Sequence, residues 1–388
     1  MRKIIVAIDS FKGCLTSKEA GKAVAEGVRS LLSECEIICV PIADGGEGLV
    51  AALVEATDGS YRQLSVHDPL MRPIDASYGW SGDGHTVFIE MAAASGLPLL
   101  TESERNPMLT TSYGTGELIR DALEQGGRDF IIGLGGSATN DAGLGMLQAL
   151  GYRFRDEAGQ LVEGIGSSLG KIVVIDSSSA HPALKECCFT VACDVNNPFY
   201  GKEGAVQVFA AQKGADKVMV EELEVGMQRF ARLVFAATGK EIANLPGAGA
   251  AGGLGGVLVA FLDAVLKPGI NLLLQKIDFS ALIQGADLII TGEGKADRQS
   301  VMGKVPSGIL QEARKKGIPV VLIAGRVEDI DILSQVGFER IYPIAPAALP
   351  IEIAMQPDVA AQNIRRTVAQ IISAAVGASA GNSTKYSK

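Results

Sequence analysis

The sequence has no Cys-x-x-Cys pair, only three histidines and no excess of basic residues. His67, His85 and His181 are scattered without ligand spacing, which argues against a zinc site. The six cysteines are Cys14, Cys35, Cys39, Cys187, Cys188 and Cys193. Most sit in apolar runs such as EIICVPIA and CCFTVAC and read as small reduced core residues, not as disulfide partners or metal ligands. A net charge of −9 argues against a nucleic-acid partner, which requires a basic face. It also means that any anionic ligand must be met locally by cations, backbone amides or a metal ion.

Long apolar runs are missing too. MRKIIVAID turns polar at Asp9, as a first strand does and a signal peptide does not. The longest uncharged stretch, Ile242 to Leu262, is broken by Asn244, Pro246 and glycines. It reads as a loop entering a buried helix and not as a membrane span. A cytoplasmic protein with no membrane partner is expected. Several signatures are absent as well: GxxxxGK[ST], the HRD and DFG set of protein kinases, GxSxG and HExxH. The chain of 388 residues is long enough for two domains or one large one. It can bury roughly three quarters of its unfolded surface without a staple.

What is present is a repeated pattern of apolar run, polar Gly/Asp-rich loop and helix. KIIVAI leads into DSFKG, EIICVPIA into DGGEG, DFIIGL into GGSATND, and DLIIT into GEGKADRQS, while PVVLIAG and RIYPIAP add two more runs. Strands apolar on both faces belong to a parallel sheet covered on both sides, and ligands collect at the carboxyl ends of such strands. Thr16 and Glu19 have capping-box spacing. Pro357 and Asp358 start a last helix with Ile364, Val368, Ile371 and Ile372 on one face. Residues 61–98 alternate and turn, which predicts short antiparallel strands. An α/β fold is expected, with a discontinuous parallel-sheet domain of residues 1–60, 105–151 and 285–376. A smaller inserted α/β domain covers residues 61–104 and 152–284, and residues 377–388 form a flexible tail.

The loops carry the chemistry. In GLGGSATND, residues 133–141, the anion-binding residues would be Gly135, Gly136, Ser137, Ala138, Thr139 and Asn140. Asp141 would hold Mg²⁺ or the helix end, and the alternative is an ordinary capped glycine turn. Gly133, Gly135 and Ala138 also have GxGxxA spacing, with Asp156 and Glu157 downstream, which keeps a dinucleotide site open. Asp9, Ser10 and Lys12 in DSFKG could orient a polar substrate, or form a solvated turn. ADGGEG offers Asp44, Gly45, Gly46 and Glu47 for a ligand, a proton or a metal, or Asp44 as a helix cap. TGEGKADRQSVMGK packs Glu293, Lys295, Asp297, Arg298 and Lys304 into one loop, suited to a transferring phosphoryl group. Asp194 ends an apolar run, and Gly249 and Ala250 open a helix whose amides could bind a carboxylate or simply pack closely.

Taken together, DSFKG, PIADGGEG, DPLMRP, EMAAASGL, RNPMLTTSYGTGELI, GLGGSATNDAGLGMLQALG, ACDVNNP, QKGA, GAGAAGG and TGEGKADRQSVMGK resemble the type 1 glycerate kinase family, in family order from Asp9 to Lys304. Cys14 stands where serine is usual and Ala142 where glycine is usual. The resemblance implies transfer of the ATP γ-phosphoryl group to a hydroxyl of D-glycerate, with Mg²⁺ and usually giving 2-phosphoglycerate. It also implies a Rossmann-like domain, a smaller α/β domain and an active site between them. A monomer or homodimer is expected. On this reading Gly135 to Asn140 bind nucleotide phosphates, and Asp141, Asp194 and Glu293 are candidates for the metal. Lys12, Arg298 and Lys304 counter charge, and Asp297, with Asp44 as rival, takes the hydroxyl proton. A nicotinamide-dependent oxidoreductase and a non-catalytic carboxylate sensor remain as alternatives.

Overall fold

The computed structural model describes every residue except Asp44, Gly45, Glu47, Met302, Ala347 and residues 384–388. Its strands, in chain order, are β1 (Lys3–Ile8), β2 (Glu36–Pro41), β3 (Ser60–His67), β4 (Pro73–Trp80), β5 (Thr86–Glu90), β6 (Asp129–Gly133), β7 (Arg153–Arg155), β8 (Val174–Asp176), β9 (Cys188–Ala192), β10 (Val265–Lys267), β11 (Leu288–Ala296), β12 (Val320–Val327) and β13 (Arg340–Pro343). The chain divides into two compact units, one of Met1–Asp44 with Ile270–Lys388 and one of Gly45–Gly269.

The first unit holds a five-stranded sheet in the order β13-β12-β11-β1-β2. Every pairing in it is parallel. Ile4 to Ile8 of β1 are almost fully buried because helices cover both faces, as the continuous apolar run requires. The helix Ser17–Arg29 starts at the expected capping box, with the Thr16 hydroxyl accepting from Glu19 N and the Glu19 carboxylate returning the bond. Its apolar face meets Ile364, Val368, Ile371 and Ile372 of the last helix, Pro357–Ser383, in one core. That helix runs on to Ser383, so the tail expected from residue 377 is helical over its first part.

The second unit holds a six-stranded sheet in the order β10-β9-β6-β5-β4-β3. β3, β4 and β5 are antiparallel neighbours, as the alternation in residues 61–98 predicts. β5, β6, β9 and β10 pair in parallel. This places the division of the chain elsewhere than expected. Residues 105–151 belong with the intervening unit, because β6 hydrogen-bonds to β5 and β9 and not to any strand of the first sheet. An apolar run declares a parallel strand, but nothing in it names the partner strand.

No cysteine forms a disulfide; Cys39 and Cys188 are exposed and the other four are half-buried. The expectation of core cysteines is thereby corrected. β2 is an edge strand, and Cys188 opens β9 at its solvent end. Among the described residues, no helix is long and apolar enough to cross a membrane.

Candidate active site

In the first unit the sheet reverses its direction of growth between β1 and β11, with β2 added on one side and β12 and β13 on the other. A crevice forms at such a point because the connections leave on opposite faces. The carboxyl ends of β1, β11, β12 and the segment after β13 line a cleft of about 920 Å³ there. Asp9 follows β1 and its N–H donates to Gly292 O at 2.9 Å. The Asp9 carboxylate, 6% exposed, accepts from Ser10 N at 2.7 Å. Glu293 comes from β11 and is 7% exposed, and its Oε1 is buried without a hydrogen-bond partner. Burial pushes the Glu293 carboxyl up to about 7, with the charges of Asp9 and Asp297 adding to the rise while a hydrogen bond to Ser300 and the Lys304 charge oppose it.

Close packing of backbone makes room for these side chains. A Cβ on Gly325 would stand 2.5 Å from Gly294 O, and one on Gly292 would stand 2.4 Å from Ile323 O. Lys12 and Lys304 line the cleft. Lys304 caps the eleven-residue helix Val305–Lys315, whose amino end favours negative charge nearby. Lys295 Nζ lies 2.9 Å from Glu328 Oε2 and 3.5 Å from Asp297 Oδ2. The Asp297 N–H donates to Ser300 Oγ at 3.0 Å. Arg298 turns to Asp329, Nε to Oδ2 3.4 Å, and neither it nor Asp297 is among the cleft-lining residues, Asp297 standing at the cleft's edge beside the lining residue Lys295. The sequence therefore marks Asp9, Ser10, Lys12, Glu293, Lys295 and Lys304 as candidates in two separate loops, and the fold gathers them in one cleft. It does not mark Arg326, Glu328 or the apolar residues Ile344, Pro346, Leu349, Ile351 and Met355, which lie in the same cleft. The only available hint is their place after runs already legible as parallel strands.

In the second unit the loop after β6 is built differently from the expectation. Ala138, Thr139 and Asn140 are almost fully buried, which leaves Gly135, Gly136 and Ser137 as its accessible part. A Cβ on Gly135 would stand 2.5 Å from the Cα of Gly46, so the loop and the segment before the helix Leu49–Ala56 touch backbone to backbone. Asp141 is fully buried. Its carboxylate accepts from Ser112 N and Oγ at 2.8 and 2.7 Å and from Gly143 N and Gly145 N at 3.1 Å each. Burial pushes its carboxyl up and these four donors oppose the rise. Asp141 thus ties down the start of the six-residue helix Leu144–Ala149; its oxygens are taken, and it is not placed as a metal ligand.

Lys213, which no spacing argument singles out, is 2% exposed beneath this loop and donates from Nζ to Thr139 O at 2.6 Å. Burial lowers its pKa to about 7, with the Asp141 carboxylate opposing the fall. Gly249 and Ala250 are buried in backbone packing, a Cβ on Gly249 meeting Pro198 O at 2.3 Å, so the close-packing alternative describes them. Asp194 is exposed at the end of β9, where Oδ1 accepts from Gly269 N at 2.9 Å. Asp44, Gly45 and Glu47 lie outside the described residues. No group of three or more His, Cys, Asp and Glu is placed to hold a metal among the described residues. The proposed trio of Asp141, Asp194 and Glu293 is accordingly not one cluster.

The dinucleotide alternative also meets a structural obstacle. β7, the strand after the glycine loop and its helix, pairs with β8 in a separate antiparallel ribbon and not beside β6. Asp156 spends its backbone and carboxylate on a turn to Gln160. It does not stand at the tip of a neighbouring parallel strand, where a ribose would be met.

A model of the glycerate kinase family matches residues 4–376. The chain belongs to the glycerate kinase family. It is 45% identical over 343 residues to the glycerate 2-kinase of Escherichia coli K12, covering 88% of this chain and 90% of the relative. It is 44% identical over 370 residues to the glycerate kinase of Bacillus subtilis 168, covering 95% and 96%. A crystal structure of a glycerate kinase 2 from Salmonella typhimurium LT2 superposes with a TM-score of 0.87 at 41% identity, over 97% of this chain and 99% of that one. Family membership fits an α/β chain whose acidic and basic residues converge at carboxyl strand ends. It gives no support to the oxidoreductase or sensor alternatives.

Proposed function

We propose that this chain transfers the γ-phosphoryl group of ATP to the 2-hydroxyl of D-glycerate, giving 2-phosphoglycerate and ADP. The similarity to relatives named glycerate kinase and glycerate 2-kinase supports the substrate and the position. Within the molecule, one observation carries the reading: the buried acids Asp9 and Glu293 meet the exposed Lys12 and the half-buried Lys304 at the switch point of a parallel sheet.

Phosphoryl transfer asks for positioning and charge stabilisation more than for covalent chemistry. Lys12 and Lys304 counter the charge on the transferring group, and the amino end of Val305–Lys315 adds to their field. Asp297 accepts the proton of the attacking hydroxyl; the new bond runs from glycerate oxygen to phosphorus, and the bond to the bridging oxygen of ADP breaks. Gly135, Gly136 and Ser137 offer an anionic group the open backbone of the second unit, on a loop braced by Lys213 and Asp141. Asp194 stays a candidate for an outer, water-mediated role. The donor set at the switch point fits Mg²⁺, which takes one or two carboxylates and completes its shell with water and phosphate. Asp9 and Glu293 would hold it, and the unpartnered Oε1 of Glu293 is an oxygen awaiting a cation. When bound, Mg²⁺ supplies screening of the phosphate charges.

Incubation of the full chain with MgATP and D-glycerate tests the proposal. ADP should appear only when glycerate is present, and phosphorus NMR should show a 2-phosphoester. Glycerate-independent ADP release, or a 3-phosphoester, would contradict it.

A further inference from the structure

The cleft of the first unit is far larger than a three-carbon acid needs. At about 920 Å³ it lies near the upper end for sites that bury a drug-sized ligand. Its lining is also segregated. The strand ends of β1 and β11 contribute Asp9, Lys12, Glu293 and, just beyond, Lys304. The segment after β13 contributes Ile344, Pro346, Leu349, Ile351 and Met355, with no charged side chain among them. Ile351 is 57% and Met355 41% exposed, so a wall of large apolar side chains stands open beside a charged floor.

Such a wall, left to water, forgoes the transfer free energy that covering it would give, roughly 25 cal/mol per Å². A flat aromatic heterocycle is the occupant that suits it, and a polyanionic other half of the same molecule would be met by Lys12 and Lys304 directly and by Asp9 and Glu293 through Mg²⁺. Glycerate alone could cover neither the area nor the length. Backbone order supports the arrangement: Ile344 N donates to Ala324 O at 2.8 Å, which holds the wall against the end of β12. A Cβ on Gly13 would lie 3.5 Å from the terminal methyl of Met355, which brings the wall up to the turn that carries Lys12.

We propose that Ile344, Pro346, Leu349, Ile351 and Met355 form the adenine-binding wall of this kinase, with the triphosphate directed toward Lys12 and Lys304. This rests on the kinase reading above and goes beyond it, since neither the sequence motifs nor the relatives' names assign the base a place. It also moves the nucleotide from the glycine loop of the second unit, where the motif GLGGSATND led us to expect it, to the first.

Photolabelling of the full chain with 8-azido-ATP and Mg²⁺, followed by peptide mapping, is the direct test. Label within residues 343–360, removed by excess ATP and not by glycerate, is expected. Label anywhere else, above all within residues 45–269, would overturn the assignment. Two substitutions provide a second reading. Leu349→Asp and Met355→Glu should each raise KM for ATP roughly tenfold or more, with KM for glycerate within about twofold. A rise in the glycerate KM alone, or no change in either, counts against the wall. Should the charged variants fail to fold, Leu349→Ala and Met355→Ala ask the same question at smaller amplitude. The two proposals fail separately. A chain labelled at residues 343–360 that does not phosphorylate glycerate refutes the activity and keeps the site. An active kinase labelled elsewhere refutes the site alone.

Discussion

The N–H of Asp9 donates to the carbonyl of Gly292 at 2.9 Å, which fixes two carboxyl-bearing residues, Asp9 and Glu293, at the ends of adjacent parallel strands. Burial pushes the Glu293 carboxyl up, and the charge of Asp9 beside it adds to the rise.

The first prediction concerns pH and stability. The folded pKa of Glu293, about 7, lies above its ordinary value of 4.5. The folded state therefore holds this proton more tightly than the unfolded chain. Its contribution is full below pH 4.5 and is lost as pH rises to about 7. At about 1.4 kcal/mol per pKa unit the loss approaches ~3 kcal/mol. Urea unfolding without nucleotide or Mg²⁺ should show stability falling across that window, and Glu293→Gln should flatten the fall. An unchanged slope in the variant would assign the effect to another group.

Asp297 is the proton acceptor in the proposed chemistry. Asp297→Asn should lower kcat by about 10²–10⁴ with little change in either KM. Steady-state kinetics decide it; near-normal turnover would move the role to Asp44 or Asp194.

Lys213 is a buried cation whose ammonium braces the Thr139 carbonyl. Lys213→Ala leaves a cavity and removes the charge that faces Asp141, so it should cost about 2–5 kcal/mol. Lys213→Met fills the space and should recover over half of that. Calorimetry of both variants separates the packing from the charge; equal losses would show that the ammonium, and not the volume, carries the stability.

Gly135 leaves no room for a side chain against Gly46. Gly135→Ala must push the two backbones apart. We expect kcat/KM to fall at least about tenfold with the circular dichroism spectrum unchanged. Full activity would mean that the accessible part of this loop touches no reactant.

Much of the local structure was legible because it depends on neighbours in the chain. The capping box at Thr16 and Glu19, the apolar runs of β1, β6 and β11, and the antiparallel pair from Ser60 to Trp80 are all short-range patterns. The candidate acids and lysines were legible because polar residues at carboxyl strand ends have few other reasons to be there. Pairing was not. Asp129–Gly133 reads the same whether it joins the sheet of β1 or that of β5, and only the folded chain sets it between β5 and β9.

Burial divided the candidates in the same way. Asp141 and Asp297 are both aspartates in glycine-rich loops after a strand. One is enclosed by Ser112, Gly143 and Gly145, and the other stands beside Lys295. By itself, then, the amino-acid order determined the α/β class, the strand-loop-helix rhythm and which residues could do chemistry. Only the tertiary structure decided which strands share a sheet, which carboxylates are locked into the core, and that the apolar residues Ile344, Pro346, Leu349, Ile351 and Met355 after β13 face the charged cleft. These depend on residues tens to hundreds of positions apart, and the free energy of bringing them together is not written in any local window.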